Sequence, residues 1–330
     1  MMKGYVWVLL LAMTSMECVA GFNEGVNSYQ AQDYPSALRE FLPLANGGNA
    51  HAQFALGVMY YEGEGVPKDY SQAENWYRKA AEQGFAPAQN NLGLMYDNGS
   101  YPQVPIDHSE AEIWYRKAAE QGFAEAQFHL GALYYEGKGV PKDYSQAGDW
   151  YRKAAEQGYA EAQLALGVMY QYGVSLREVP EDYRYREDYS KAEALIRKAA
   201  EQGFAEAQFH LGRLYYKGNV VPEDYSKAEA WYRKAAAQGH LQALNELGWS
   251  YADDFGLSAK NLVLAHIVYN LAVVISNGID THAKDYRDNI ASQLTPAQLS
   301  EAQELASQWV KGQPLPTITK TYQSSSKKRK

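Results

Sequence analysis

Cysteine is almost absent: the one copy, Cys18, stands inside the first twenty residues. Residues 21 to 330 therefore hold no disulfide, no thiolate nucleophile and no cysteine zinc site. Catalytic signatures are missing too. The sequence contains no G-x-S-x-G, H-E-x-x-H, G-x-x-x-x-G-K or C-x-x-C, so it lacks the local arrangements for acyl transfer, zinc hydrolysis, phosphate cradling and dithiol exchange. The S-x-x-K match at Ser324 to Lys327, with the overlapping Ser325 to Lys328, falls in a polar tail that cannot preorganise a nucleophile. Basic charge is scarce: the chain carries −8, residues 311–330 carry +6 and the first twenty carry none net, so residues 21–310 carry −14. That balance excludes nucleic acid as a partner.

Long apolar runs are missing as well. Tyr5 to Met13 is apolar, but it is shorter than the about 20 residues of a membrane span. With Lys3 before it and Cys18-Val19-Ala20 after it, the segment reads as a secretory signal peptide cleaved after Ala20. The product is expected in the periplasm or outside the cell. A lipid anchor on Cys18 is the competing reading, but Glu17 occupies the place where such a signal needs a small residue. Membrane contact is expected only through the basic tail, which ends KKRK and is otherwise a solvated, disordered end.

What is abundant is tyrosine, at 28 copies against 9 Phe and 7 Trp, a bias that suits packed helix interfaces or a surface gripping a partner. What is repeated is nearly everything else. GVPKDYSQAENWYRKAAEQGF at 65–85 returns as GVPKDYSQAGDWYRKAAEQGY at 139–159. Aligned on A-x-A-Q, the chain divides into clear units at 50–85, 86–123, 124–159, 160–204 and 205–240, with degenerate units at 21–49 and 241–278. Residues 279–311 are expected to form capping helices and 312–330 the tail.

Each unit predicts two helices. In the first, Ala126, Leu130 and Tyr134 recur at i, i+4, i+8, beside a glycine that returns at 57, 93, 131, 167, 212 and 248. A helical glycine costs about 1 kcal/mol relative to alanine, so a close approach of a second backbone must offset it in every unit. In the second helix Ala73, Trp76, Tyr77, Ala80 and Ala81 form one apolar face. Ser71 with Glu74, Ser109 with Glu112, Ser190 with Glu193 and Ser226 with Glu229 read as capping boxes, while Gly84, Gly122, Gly158, Gly203 and Gly239 read as C-terminal stops. Unit three replaces the box glutamate by Gly148, which predicts a softer helix start there. Pro67, Pro141 and Pro222 lie between helices. Hairpins of this length cannot cover their apolar stripes alone and must stack, which predicts an all-α, right-handed α-solenoid.

The string A-x-A-Q-x-x-L-G-x-x-Y, then G-x-G-V-P-x-D, then A-x-x-W-Y-x-K-A-A-x-x-G, resembles the Sel-one-like repeat, a relative of the tetratricopeptide repeat with a longer inter-helix loop. The resemblance covers residues 50 to 240, and TPAQLSEAQELASQWV at 295–310 is similar to the capping helix that often ends such arrays. It implies protein-protein interaction and adaptor work in exported or envelope-facing bacterial proteins and in eukaryotic quality-control complexes. Cysteine-rich relatives linked to penicillin binding or β-lactamase activity share paired cysteines that this chain lacks, so that activity is not carried over.

The remaining polar residues have structural readings. His129 and His210 occupy equivalent places two units apart, too far to share the ~2.0–2.1 Å bonds of one zinc, and read as helix-surface histidines. Asp143-Tyr144 and Asp224-Tyr225 read as helix starts rather than glycosidase acids. No metal, no small-molecule cofactor and no enzymatic activity are expected. The partner is expected to be a protein or peptide in a concave first-helix groove. The resemblance to tetratricopeptide-like stacks, whose first helices line the concave side, implies that the residues three before, one after and four after each helix glycine face the groove: Phe54, Tyr61, Asn90, Phe128, Tyr135, Leu164, Phe209, Arg213, Tyr216 and Trp249, along with Val58, Leu94, Asp97, Ala132, Val168, Gln171, Asn245 and Ala252. The alternative is that these rings only close the seam between first helices. A second candidate is the insertion QYGVSLREVPEDYRYREDYS at 171–190, read as a loop with Tyr172, Tyr183 and Tyr185 as contacts. Two other functions stay open: a structural subunit that binds copies of itself, and a cell-wall-active hydrolase.

Overall fold

The computed structural model describes residues 21–99, 104–171, 181–219, 221–253 and 261–318. Sixteen α-helices make up its regular structure. They are α1 (Phe22–Gln30), α2 (Tyr34–Asn46), α3 (Ala50–Glu62), α4 (Tyr70–Glu82), α5 (Ala86–Asn98), α6 (His108–Glu120), α7 (Ala124–Glu136) and α8 (Tyr144–Glu156), followed by α9 (Ala160–Gln171), α10 (Glu181–Glu201), α11 (Ala205–Lys217), α12 (Tyr225–Ala237), α13 (Leu241–Asp253), α14 (Leu262–Ile275), α15 (Thr281–Ala291) and α16 (Pro296–Gln308).

The two helices of a hairpin have different characters. From Ala52 to Met59 of α3 every residue is buried, so this first helix is covered on all sides. Its partner α4 buries Ala73, Trp76, Tyr77, Ala80 and Ala81, the apolar face the spacing predicts. The helix glycine is where the two meet. A Cβ on Gly93 would lie 2.6 Å from Tyr115, and one on Gly131 would lie 2.8 Å from Tyr151. The gap at these glycines is thus filled chiefly by the tyrosine ring of the second helix rather than by a backbone, although at Gly131 the Ala147 carbonyl also comes within 3.1 Å.

The helix starts differ from the sequence reading. The N-caps are Asp69, Asp107, Asp143 and Asp224, whose carboxylates accept from the amides of Gln72, Glu110, Gln146 and Lys227 at 3.0, 3.0, 3.0 and 2.9 Å. Ser71, Ser109 and Ser226 already lie inside the helices, and Ser190 stands in the middle of α10, so none of the four serine boxes forms. Asp143 caps α8 through the same bond that Asp69 makes at α4, so the cap is intact in the hairpin that carries Gly148. The glycine stops are present: Gly84 has φ +88° and its amide donates to the Ala81 carbonyl at 3.0 Å, while the Phe85 amide reaches back to Ala80 at 3.2 Å.

The chain forms two compact units, residues 21–162 and, apart from a short stretch, residues from 163 onward. The first stacks α1/α2, α3/α4, α5/α6 and α7/α8. Two polar ladders join neighbours there. The buried glutamines of the A-x-A-Q signature, Gln53, Gln89 and Gln127, donate to the carbonyls of Ala45, Ala81 and Ala119 on the preceding helix, each at 3.0 Å, and accept from Gln83, Gln121 and Gln157 at 2.7, 2.7 and 2.8 Å. These bonds add a second donor to C-terminal carbonyls that already accept the amides of Gly48, Gly84 and Gly122 at 3.1, 3.0 and 3.0 Å. In the second ladder Arg78 and Arg116 each bond a glutamate one turn earlier, Glu74 and Glu112, and a tyrosine of the next hairpin, Tyr96 and Tyr134.

The second unit repeats both devices. Gln208 donates to Ala200 at 3.2 Å and accepts from Gln238 at 2.9 Å, and Arg197 bonds Glu193 and Tyr215. Its closing helices are short: α16 packs on α14, and Asn245 of α13 donates to Asp280, the cap of α15, at 2.8 Å. The segment assigned to a disordered tail from residue 312 is seated as far as residue 318, with Leu315 buried. No helix among the described residues is long and apolar enough to cross a membrane. The leader at 1–20 and the basic residues from 320 onward lie outside the described residues.

Candidate partner-binding surface

The residues chosen by counting from the helix glycine divide into two sets. Phe54, Asn90, Leu164 and Phe209 are buried, at 0%, 1%, 8% and 4% exposure. Their position, three residues before the glycine, fills a three-ring cluster within the stack instead of facing a partner. Phe54 meets Tyr77 at 5.7 Å and Phe85 at 5.4 Å; Phe128, half-buried, meets Tyr151 and Tyr159, both at 5.6 Å; Phe209 meets Tyr232 at 5.7 Å and stacks on His240 at 4.8 Å. These rings are core by geometry. Asn90 holds the same place among them, and neither its Oδ1 nor its Nδ2 has a hydrogen-bond partner.

The residues four beyond the glycine are more open. Tyr61 meets Tyr70 edge-on at 5.1 Å, Tyr135 meets Tyr144 at 5.2 Å and Tyr216 meets Tyr225 at 5.6 Å, and both Tyr135 and Tyr144 are exposed. Each pair ties the end of a first helix to the start of its second, leaving ring faces and hydroxyls at the hairpin edge. The second hairpin replaces the pair by Asp97 and His108, whose Oδ1 and Nδ1 lie 2.9 Å apart. Tyr70, Tyr144 and Tyr225 were legible only as parts of the recurring D-Y-S helix start. Arg213 and Trp249 are half-buried one residue after their glycines, and the Arg213 guanidinium lies 5.7 Å from the Phe209 ring. Arg213 and Lys217 oppose the burial that raises the Glu246 carboxyl above its ordinary value.

The insertion does not form the loop predicted for 171–190. Residues 181–190 belong to α10, so the segment carrying Tyr183 and Tyr185 is helical, although their side chains lie outside the described residues, as does Tyr172.

The one close grouping of carboxylate and imidazoles lies in the second unit. Glu206 Oε2 is 2.8 Å from His240 Nε2, and its Oε1 is 3.5 Å from His210 Nε2. Hydrogen bonds from His210 and His240 hold the Glu206 carboxyl far below the ordinary range. His240 Nδ1 accepts the Ala243 amide at 3.2 Å, which puts the ring proton on Nε2, facing Glu206. The His240 contact joins α11 to the start of α13 while the His210 contact lies one turn along α11 itself, and among the described residues no group of three His, Cys, Asp or Glu is placed to hold a metal. His129 stacks on Tyr115 at 5.1 Å.

Hairpins that stack through buried glutamines, start most of their second helices at an aspartate cap and carry tyrosine pairs at their edge define a repeat module of the α-solenoid class. The chain belongs to the Sel1 repeat family, whose repeat matches residues 50–85, 86–123, 124–159, 160–204 and 205–240. The crystal structure of a Sel1 repeat protein from Oxalobacter formigenes superposes with a TM-score of 0.69 at 34% identity, covering 77% of this chain and 97% of that one. Among curated proteins the chain is similar to chitin synthase regulatory factor 3 of Schizosaccharomyces pombe, 51% identical over 14% of this chain and 5% of that protein. It is also similar to the Arabidopsis thaliana ERAD-associated E3 ubiquitin-protein ligase component HRD3A, 40% identical over 16% of this chain and 8% of that protein. The chain therefore spans a small part of these two relatives. Sel1 repeat proteins mediate protein-protein interaction as adaptors.

Proposed function

We propose that this protein is an exported, non-enzymatic adaptor that binds a protein or peptide along the first-helix face, with the exposed edge tyrosines as its anchors. The observation that carries the reading is the recurrence of the Tyr61/Tyr70, Tyr135/Tyr144 and Tyr216/Tyr225 pairs in three hairpins, with Tyr135 and Tyr144 exposed. Anchors held on rigid helices lose little freedom on binding, so several weak contacts add usefully. Phe128, Arg213 and Trp249 would border the same contact. Phe54, Asn90, Leu164 and Phe209 would act behind it, fixing the helices that present the anchors. Both curated relatives named above are a regulatory factor and a component of a larger machine, in line with adaptor work. Export rests on the leader-like residues 1–20; intact mass of the protein recovered from the cell envelope tests it, with removal of twenty residues expected.

Pull-down with crosslinking tests the binding face, using the wild type beside a triple variant Tyr61→Ala, Tyr135→Ala, Tyr216→Ala. A partner captured by the wild type and lost from the folded variant supports the reading. Equal capture by both baits ends it. The exposed Val274, Ile279 and Val310 near the end of the second unit favour a second reading, self-association. A concentration-independent monomer by sedimentation would remove that alternative.

A further inference from the structure

The last described residues run back onto the chain's own repeats. Gly312 donates its amide to the Ala237 carbonyl at 2.8 Å, and Arg233 donates through Nη2 to the carbonyls of Leu315 and Pro316 at 3.1 and 3.4 Å. The Leu315 side chain is 4% exposed, and the Trp309 indole steadies the segment through the Gln313 carbonyl at 3.0 Å. One guanidinium thus grips two successive backbone carbonyls beside a single buried apolar side chain. Two prolines, Pro314 and Pro316, keep the segment out of helix and remove amide donors that would need partners.

Arg233 is one of a series. Arg78, Arg116, Arg197 and Arg233 each donate to the tyrosine hydroxyl eighteen residues onward, Tyr96, Tyr134, Tyr215 and Tyr251. In the first three, the amino group that reaches the tyrosine also holds the glutamate one turn back, and Nη1 makes no hydrogen bond. Their side chains are 36%, 36% and 35% exposed, so these arginines are partly open to solvent. At Arg233 the guanidinium is turned over: Nη1 holds Tyr251 and Nη2 takes the peptide. The Arg78 guanidinium also lies 5.8 Å from the Trp114 ring, and Trp150 and Trp231, both half-buried, hold the equivalent places after Arg116 and Arg197. After Arg233 the tryptophan place is held by the buried Val268.

We propose that the second-helix face is a further binding surface, distinct from the tyrosine edge, on which the rungs Arg78/Tyr96, Arg116/Tyr134 and Arg197/Tyr215 clamp a non-helical partner segment of the Pro-Leu-Pro kind. The guanidinium takes successive carbonyls, and at the Arg116 and Arg197 rungs the half-buried Trp150 and Trp231 take the prolines, whereas Trp114 is 5% exposed and packs behind Arg78. The C-terminal segment at 312–316 is the same interaction made in cis at the one rung without a tryptophan.

A fluorescein-labelled peptide GQPLPT titrated into the full chain tests this by anisotropy. A second peptide, with benzoyl-phenylalanine at its leucine, is crosslinked to the wild type and mapped by mass spectrometry. Saturable binding is expected, weakened about tenfold by Arg116→Lys with Arg197→Lys, which keeps the charge but loses the fork. It should be unchanged by the Tyr61/Tyr135/Tyr216 alanine variant, with crosslinks on α6, α8 or α10. The crosslink map needs no variant, so it decides the matter even if the double variant unfolds. Absence of saturable binding overturns the proposal, as do crosslinks confined to α13 and the segment's own seat. Loss of binding in the tyrosine variant alone overturns it while leaving the first-helix reading intact.

Discussion

Residues 65–85 and 139–159 share eighteen of twenty-one positions, and the three differences show which parts of a repeat shape it and which tie it to its neighbours. The shared residues do the same work in both copies. Asp69 and Asp143 cap, Tyr77 and Tyr151 fill the space over Gly57 and Gly131, and Lys79 and Lys153 sit 3.9 and 3.7 Å over Trp76 and Trp150. The differences fall on outward connections. Glu74 joins Arg78 to Tyr96 of the next hairpin, whereas Gly148 offers no carboxylate and Arg152 bonds the exposed Asp149 at 2.7 Å on its own helix. Phe85 becomes Tyr159, each packing on the first helix of its hairpin through Phe54 or Phe128.

The largest effect should come from what the copies share. Tyr77→Ala and Tyr151→Ala each empty a buried site against a glycine that cannot fill it, and each is expected to cost about 3–5 kcal/mol. Because stacked repeats can open locally, the measurement is hydrogen exchange resolved to α3/α4 and α7/α8, not a single global transition. A loss below about 1 kcal/mol at either site would show that the ring is not what the glycine is for.

Exchanging the first difference should give a smaller, opposite pair. Glu74→Gly adds the helix cost of glycine, about 1 kcal/mol, and removes the carboxylate shared by Arg78 and Tyr96, for a total of about 2 kcal/mol. Gly148→Glu should gain about 1 kcal/mol from propensity and an i,i+4 pair with Arg152. Exchange rates in α4 and α8 read both, and equal effects of the same sign would remove the arginine rung from the account.

The residue that follows each copy at the third place before the next helix glycine sharpens the contrast further: Asn90 after the first, Leu164 after the second. Asn90 is buried with both polar atoms unpartnered, so Asn90→Leu should stabilise α5 and α6 by at least about 1 kcal/mol. Thermal unfolding that is unchanged or lowered would mean that the amide is satisfied within the stack.

These contrasts also mark what was legible from sequence. Repeat boundaries, the apolar face of the second helix and the glycine stops follow from spacing, because local periodicity dictates them. The caps were misassigned because D-Y-S offers two capping residues in a row, and only the backbone shows that the chain turns at aspartate. Glu74 and its equivalents were misread for the same reason: they serve the neighbouring hairpin, a contact no single unit contains. The rings at Phe54 and Phe209 looked like groove anchors because counting along one helix cannot tell a solvent face from the face of the next repeat. The seat of Leu315 joins residues eighty-two apart and has no local signal.

The second twin difference extends to a third member, since His240 stands where Phe85 and Tyr159 stand and adds a titratable link to Glu206. Glu206 is held below its ordinary value of 4.5 by His210 and then by His240. A carboxyl depressed in the folded state contributes stability that is fully present above its unfolded value and is lost as pH falls below it. Wild type should therefore exceed Glu206→Gln in stability at pH 6, and the gap should narrow progressively below about pH 4.5, read as Tm against pH. The effect is small because the carboxyl is only half-buried, and it should be confined to α11 and α13. A gap that stays constant from pH 6 to 3 would show that the histidines do not hold the carboxylate.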